Sequence, residues 1–244
     1  MYDSVPWEQL GQSVAPGGGQ MTLRRCGRDY VIEVNDVELM ASDRHDSEES
    51  LARMACEGLK ASEPRVLIGG LGMGFTLRAA LDALPSGAEV VVAELVPAVV
   101  AWNRTVLGHL AKHPLHDPRV RVAEGDVARV MMESSGYHVI MLDVDNGPSA
   151  FTQDSNNGLY DSLGLETIKS RLLPGGVLAV WSSDPDRLFE IRLAEAGFSC
   201  DTVSVKAGGK GNRARHTLFF ARVGSSSQSL RTDSASTLDQ RRAV

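Results

Sequence analysis

The chain has 244 residues, 43% of them hydrophobic and 23% charged, which is the make-up of a globular domain and excludes a disordered or fibrous chain. A formal net charge of −6 excludes a protein held to nucleic acid by phosphate contacts, which needs a basic face, and is compatible with a cationic small substrate. Three widely separated cysteines (Cys26, Cys56, Cys200) make no disulfide framework or zinc knuckle, no apolar run is long enough for a membrane span, and Asp3 and Glu8 do not fit a signal peptide; a cytoplasmic location is expected.

Residues 1–20 end in Pro16-Gly17-Gly18-Gly19-Gln20 and are expected to be disordered. From 21 to 62 the pattern predicts a small β-hairpin and a helix. Leu23, Tyr30, Ile32, Val34, Val37 and Leu39 sit in short alternating runs with Asn35-Asp36 as a turn signal. Ser47 to Lys60 then carries Leu51, Met54, Ala55 and Leu59 on one helical side.

Residues 63–223 read as strands alternating with helices. Strands are predicted over 65–69, 89–94, 119–123, 138–142 and 176–182, and helices over 74–84, 97–109, 126–133 and 158–172. Such a succession gives a mostly parallel sheet covered on both faces. A helix over 185–195 leads to Phe198–Lys206, a glycine-rich loop and His216–Val223, so the last strand must run antiparallel. The expected fold class is therefore α/β and Rossmann-like: a seven-stranded sheet with an antiparallel last strand and a small N-terminal hairpin. Residues 224–244 are rich in Ser, Arg and Asp and are read as a disordered tail. His109 and His113 have helical i, i+4 spacing, but Pro114 breaks the helix and nothing completes the set, so no metal site is expected.

The run Val66-Leu67-Ile68-Gly69-Gly70-Leu71-Gly72-Met73-Gly74 reads as strand, glycine turn, helix. Its backbone N–H groups and the helix start can approach a nucleotide or nucleoside. Three acids follow at predicted strand ends, where an open α/β sheet binds its ligand. Glu94 comes twenty residues after Gly74, where a carboxylate can accept from both ribose hydroxyls; the alternative is a solvated strand-end acid. Asp126 can read the adenine amino edge or cap a helix. Asp143 can orient an amine nucleophile and take its proton, or anchor an Asx-turn. His45 and Glu48 lie on the segment predicted to cover the cleft, as substrate contacts or as part of a helix start.

At these residues the chain resembles the spermidine synthase family, a branch of the class I S-adenosylmethionine-dependent methyltransferase fold. Gly70 to Gly74 resembles the family's Gly-Gly-Gly-Asp-Gly loop, Gly125-Asp126 its adenine contact, and Asp143 the first aspartate of its Asp-x-x-Asp-Pro loop. Leu159-Tyr160, Leu172-Leu173-Pro174-Gly175-Gly176 and Asp43 to Glu48 resemble three further segments. The resemblance implies an adenosyl-cofactor site made by Gly70, Gly72, Met73, Gly74, Glu94, Leu95, Asp126, Val127 and Asp143. It implies Asp143 as the catalytic group and His45, Glu48, Asp145 and Tyr160 as substrate contacts. The departures are Leu71, Met73, Asn146 and Gly147. Met73 stands where the family's aspartate pairs with the amino group of decarboxylated S-adenosylmethionine. This points to S-adenosylmethionine as cofactor and methyl transfer to a small-molecule acceptor. The alternative is aminopropyl transfer to a polyamine from decarboxylated S-adenosylmethionine. A nicotinamide-dependent dehydrogenase and a non-catalytic nucleoside-binding protein are the remaining readings. The net charge and the lack of a membrane-length apolar run lead to the expectation of no nucleic-acid or membrane partner, and the hairpin offers a surface for a homodimer.

Overall fold

The computed structural model describes residues 6–144, 147–148, 157–209 and 213–224. It begins with a four-stranded antiparallel meander: β1 (Glu8–Val14), β2 (Gln20–Cys26), β3 (Asp29–Val34) and β4 (Val37–Ala41). Asn35 and Asp36 both take left-handed φ (51° and 63°) and join β3 to β4, as the tightest hairpin turns require.

The expectation of disorder through residue 20 is corrected from Glu8 onward, and the hairpin is a sheet of four strands. β1 carries only Leu10 and Val14 as large apolar residues, with Gly11 between them, so its sequence lacks the strand alternation. Tertiary contact supplies what propensity does not. A Cβ on Gly11 would lie 2.5 Å from the Trp102 indole nitrogen, so β1 lies flat on that ring.

The main unit follows as α1 (Asp46–Cys56), β5 (Arg65–Gly69), α2 (Phe75–Ala83), β6 (Glu89–Glu94), α3 (Pro97–Arg104), β7 (Val120–Glu124), α4 (Val127–Met132) and β8 (Tyr137–Leu142). Then come α5 (Asn157–Tyr160), α6 (Ser162–Arg171), β9 (Leu172–Ser182), α7 (Arg187–Glu195), β10 (Phe198–Lys206) and β11 (Arg215–Val223). The seven-stranded sheet has the order β10-β11-β9-β8-β5-β6-β7, and β11 alone runs against the others.

Both faces of the sheet are dry. Val66 and Ile68 face a cluster that includes Leu51 of α1, Leu77 of α2 and Val99 of α3. Leu67 and Ile140 face Val130 of α4, Leu165 of α6 and Leu193 of α7. A strand buried on both sides reads as an unbroken apolar run, which is why β5 was plain in the sequence.

Several boundaries differ from expectation, and the helix expected over Ser47 to Lys60 ends at Cys56. The helix expected over 158–172 is two helices, because Asp161 caps α6 by accepting from the Gly164 N–H at 2.8 Å. The helix expected to reach 109 ends at Arg104 and is followed by a separate 3-10 turn, Gly108–Ala111. β9 starts at Leu172, and a register irregularity opposite Tyr137 and Val139 absorbs Pro174-Gly175-Gly176. No helix among the described residues is long and apolar enough to cross a membrane. The tail expected to be disordered lies outside the described residues beyond Gly224.

Replacing Gly11 by Ala drives a methyl into Trp102. Equilibrium urea unfolding should show a loss of about 1–3 kcal/mol, the usual range for overpacking, whereas Gly17→Ala, with open space around it, should change little.

Candidate functional site

Four parallel strands end in one row. Asp143 N–H donates to Gly69 C=O at 2.9 Å, Gly70 N–H to Ala93 C=O at 2.8 Å, and Gly125 N–H to Glu94 C=O at 2.8 Å. These bonds carry the ladder one residue past the strands and line up Asp143, Gly70, Glu94 and Asp126 along the carboxyl rim of β8, β5, β6 and β7. Three strand spacings make about 14 Å, room for a nucleoside with a short tail. The chain moves outward in one direction from β5 through β6 and in the other through β8, so this row lies at the switch in strand order.

The glycine turn is held from both sides. Gly70 has φ +89°, and a Cβ there would meet the Asp143 carbonyl at 2.2 Å, so no other residue fits between β5 and β8. Glu94 is buried (8% exposed) and grips the turn, accepting from Leu71 N–H at 2.9 Å and from Val96 N–H at 2.8 Å. Burial raises its pKa above the ordinary carboxylate value, against the pull of the Val96, Leu71, Gly72 and Leu95 N–H groups. Each carboxylate oxygen still has lone-pair capacity for a ribose hydroxyl. Asn103, 1% exposed, braces the turn by donating to the Gly72 carbonyl at 2.7 Å. Met40 of β4 reaches the same turn, with its sulfur 3.3 Å from where a Cβ on Gly72 would lie. The N-terminal sheet thus covers one side of the row.

At the other end stand two half-buried carboxyl groups, Asp143 and Glu48. Asp143 accepts from the Thr76 hydroxyl at 2.5 Å. Burial raises its pKa, and the Thr76 bond opposes that rise. Glu48, in the first turn of α1, is raised first by burial and next by the charge of Asp143, with Asp46 adding to it; the Ser47 hydroxyl at 2.5 Å pulls the other way. Fully buried Ser47 also receives Trp181 Nε1–H at 3.1 Å and lies 2.9 Å from His216 Nδ1. Thr76, Ser47, Trp181 and His216 therefore surround the acid pair. Trp181 reaches this group from β9. Thr76, Ser47 and His216 were missed, although a reversed last strand should deliver its first residues, His216 among them, to the carboxyl rim.

The remaining expected residues divide. Leu95 is 41% exposed beside Glu94 and offers an apolar surface to a flat base. Asp126 caps α4, its Oδ1 accepting from Ala128 N–H at 2.7 Å and Arg129 N–H at 3.3 Å. Gly125 beside it has open space where a side chain would stand. Val127 is a core residue packed on Gly69. Met73 is 3% exposed within the first core cluster and presents no charged group to the row. His45 stands apart from Glu48. It stacks on Phe75 at 4.0 Å between centroids, lies 3.0 Å from Glu49 Oε1, and lines a separate cavity of about 400 Å³ with Arg53, Arg78 and Lys112. Tyr160 is 3% exposed in the second core cluster, edge-on to Phe189 at 5.6 Å, and is placed as a packing residue. Asp145 and Asn146 lie outside the described residues. Among the described residues no group of three His, Cys, Asp or Glu is placed to hold a metal ion.

Comparison with solved structures returns this architecture. The spermidine synthase from Thermotoga maritima superposes with a TM-score of 0.70 at 17% identity, covering 88% of this chain and 73% of that one. The chain has a spermidine synthase-like fold. A spermidine synthase in complex with the transition-state analogue AdoDATO matches with a TM-score of 0.67 at 16% identity, over 88% of this chain and 72% of the other. A probable spermidine synthase from Corynebacterium glutamicum matches with 0.59 at 17% identity, over 88% and 79%. No protein-family model and no curated protein matches the chain.

The acid pair makes stability depend on pH with a definite sign. Both folded values are raised, so between the ordinary carboxylate value near ~4 and the shifted ones the folded chain holds more protons than the unfolded chain. The stability this contributes is complete below pH ~4 and is lost as pH rises through the folded values. Glu48→Gln removes a buried charge and should stabilise the fold by about 1–2 kcal/mol at pH 8, with the gain shrinking toward pH 5 in urea titrations.

Proposed function

We propose that this protein is a transferase that moves an alkyl group from an adenosyl sulfonium to an amine. The aminopropyl reading, with decarboxylated S-adenosylmethionine as donor and a polyamine as acceptor, fits the site better than methyl transfer. The observation that carries this is the pair Glu48 and Asp143. The two carboxyl groups are half-buried, and the charge of Asp143 raises the proton affinity of Glu48, so ionising both is disfavoured until a cation enters near them. An acceptor with ammonium ends supplies that cation; a neutral acceptor does not. The matched fold adds support, since one of the similar spermidine synthases binds a transition-state analogue.

In this reading the adenosine end lies along Gly70, Glu94, Leu95 and Gly125, with Glu94 on the ribose and the Asp126 end of the row on the base. The donor supplies an electrophilic carbon next to positively charged sulfur. Asp143, held by Thr76, points the acceptor nitrogen at that carbon. The nitrogen lone pair forms the new C–N bond, and the C–S electrons leave on sulfur as a neutral thioether. That lone pair becomes available because the attacking ammonium end first gives a proton to the ionised carboxyl pair, whose raised proton affinity suits it for the task, and the positive charge lost from sulfur ends on the alkylated nitrogen.

Methyl transfer from intact S-adenosylmethionine is favoured by one feature. Met73 offers no carboxylate to the donor's amino group, and the start of α2 at Phe75 is free of acidic residues in its first turn, a setting that tolerates a donor carboxylate.

Calorimetry with four ligands separates the two. Tighter binding of decarboxylated S-adenosylmethionine and methylthioadenosine than of S-adenosylmethionine and S-adenosylhomocysteine is expected, and the reverse order would favour methyl transfer. Asp143→Asn should lower kcat by about 10²–10⁴-fold while leaving donor affinity within a few-fold.

A further inference from the structure

Ser47 is the centre of a three-way contact that the reaction above does not use. Its hydroxyl bonds Glu48 Oε2 at 2.5 Å, stands 2.9 Å from His216 Nδ1, and accepts from Trp181 Nε1–H at 3.1 Å, all in a position with 0% exposure. A serine hydroxyl has one proton to donate and two lone pairs to fill. Trp181 can only donate, so it occupies one lone pair permanently. Glu48 and His216 must then take opposite roles, one accepting the Ser47 proton and the other filling the second lone pair.

With a neutral His216 ring, two arrangements satisfy all three partners. In the first, Glu48 is ionised, Ser47 donates to it, and His216 Nδ1–H donates to Ser47. In the second, Glu48 is neutral and donates from Oε2, Ser47 donates to His216 Nδ1, and the histidine proton sits on Nε2. The second holds one proton more than the first. Trp181 fixes Ser47 equally in both and also packs edge-on to the His216 ring, at 4.5 Å between centroids.

We propose that Ser47 and His216 form a proton path between Glu48 and solvent, by which Glu48 returns to its carboxylate form between turnovers. The Glu48 O–H bond breaks as a new Ser47 O–H bond forms, the old Ser47 O–H bond breaks as His216 Nδ1–H forms, and His216 Nε2–H breaks to give its proton to water. Glu48 ends ionised, Ser47 unchanged and His216 neutral in its other tautomer.

Topology supports the assignment. β11 is the reversed strand of the sheet, so it begins at the carboxyl rim, with Leu218 opposite Trp181 and His216 just beyond. The imidazole is half-buried, so one edge meets Ser47 while the ring still borders solvent. Its charged surroundings are Asp184 after β9 and Arg44 before α1, while Asp143 and Asp46 act on Glu48. Burial and Arg44 hold His216 below the ordinary histidine value and Asp184 opposes them, which keeps the ring neutral and able to accept.

This inference rests on Glu48 serving the acceptor, and the test separates the two claims. The probes are decarboxylated S-adenosylmethionine and 1,4-diaminobutane with the full chain. Ser47→Ala and His216→Gln should each lower kcat about ten-fold or more, leave the donor KM within two-fold, and displace the basic limb of the pH profile. Ser47→Thr, which keeps the hydroxyl, should stay near wild type. Imidazole in the buffer should restore part of the kcat of His216→Ala. Wild-type kcat and pH profile in both Ser47→Ala and His216→Gln would overturn the proposal. If the wild-type protein turns over no such pair, the functional reading fails, and nitrogen NMR of His216 decides the proton path alone. The neutral ring should carry its proton on Nδ1 at pH 9 and on Nε2 once Glu48 is protonated. An Nε2–H ring at pH 9 would overturn it.

Discussion

Glu48 and Asp143 are brought together by elements that meet only in the finished fold. Asp143 follows the central strand β8, and its place is set by the backbone bond to Gly69. Glu48 comes from α1, a helix that precedes the sheet in sequence and packs on α2, β8 and β9. The first turn of that helix is tied down by Ser47, through Trp181 of β9 and His216 of β11. Two half-buried carboxyl groups whose proton affinities are raised oppose folding when ionised, so the packing around them must hold them in place. Leu51, Ala52 and Ala55 of α1, all 1% exposed or less, provide that hold. Strain of this kind belongs to a site that waits for a cation.

The row of strand ends supplies the other half of the site. Its parts were the most legible in the sequence, because each depends on local rules. Gly70 must be glycine where β5 passes Asp143, Glu94 falls at a strand end, and a strand buried on both faces leaves an unbroken apolar run. The acid pair was half legible. Asp143 stood out by position, while Glu48 was paired with His45 although only Glu48 reaches it. His45 is the N-cap of α1, with non-helical φ −141° and ψ 6°, so it stands outside the helical face that carries Glu48 and stacks on Phe75 instead. β1 and the Ser47–His216 contact could not be read at all, because each joins segments far apart: Gly11 to Trp102, and residue 47 to residue 216.

Met73 marks where the fold and the reaction come apart. At under 20% identity the likeness to spermidine synthases carries the architecture, and the chemistry must be argued from side chains. A buried methionine in the glycine turn removes one cation contact on the donor side. In the proposed function, the carboxyl pair supplies cation recognition on the acceptor side. On that proposal, the site selects for the charge of what it modifies and less for the tail of what it is given.

The central claim is that the carboxyl pair receives a cationic acceptor. Calorimetric titration of 1,4-diaminobutane into protein saturated with methylthioadenosine, repeated near neutral pH in buffers of different ionisation heat, tests it most directly. The account predicts binding accompanied by proton release, as the entering cation lowers the raised proton affinity of Glu48 and Asp143, and loss of that release in Glu48→Gln. Diamine binding with no proton released, or equal release in the variant, would contradict it.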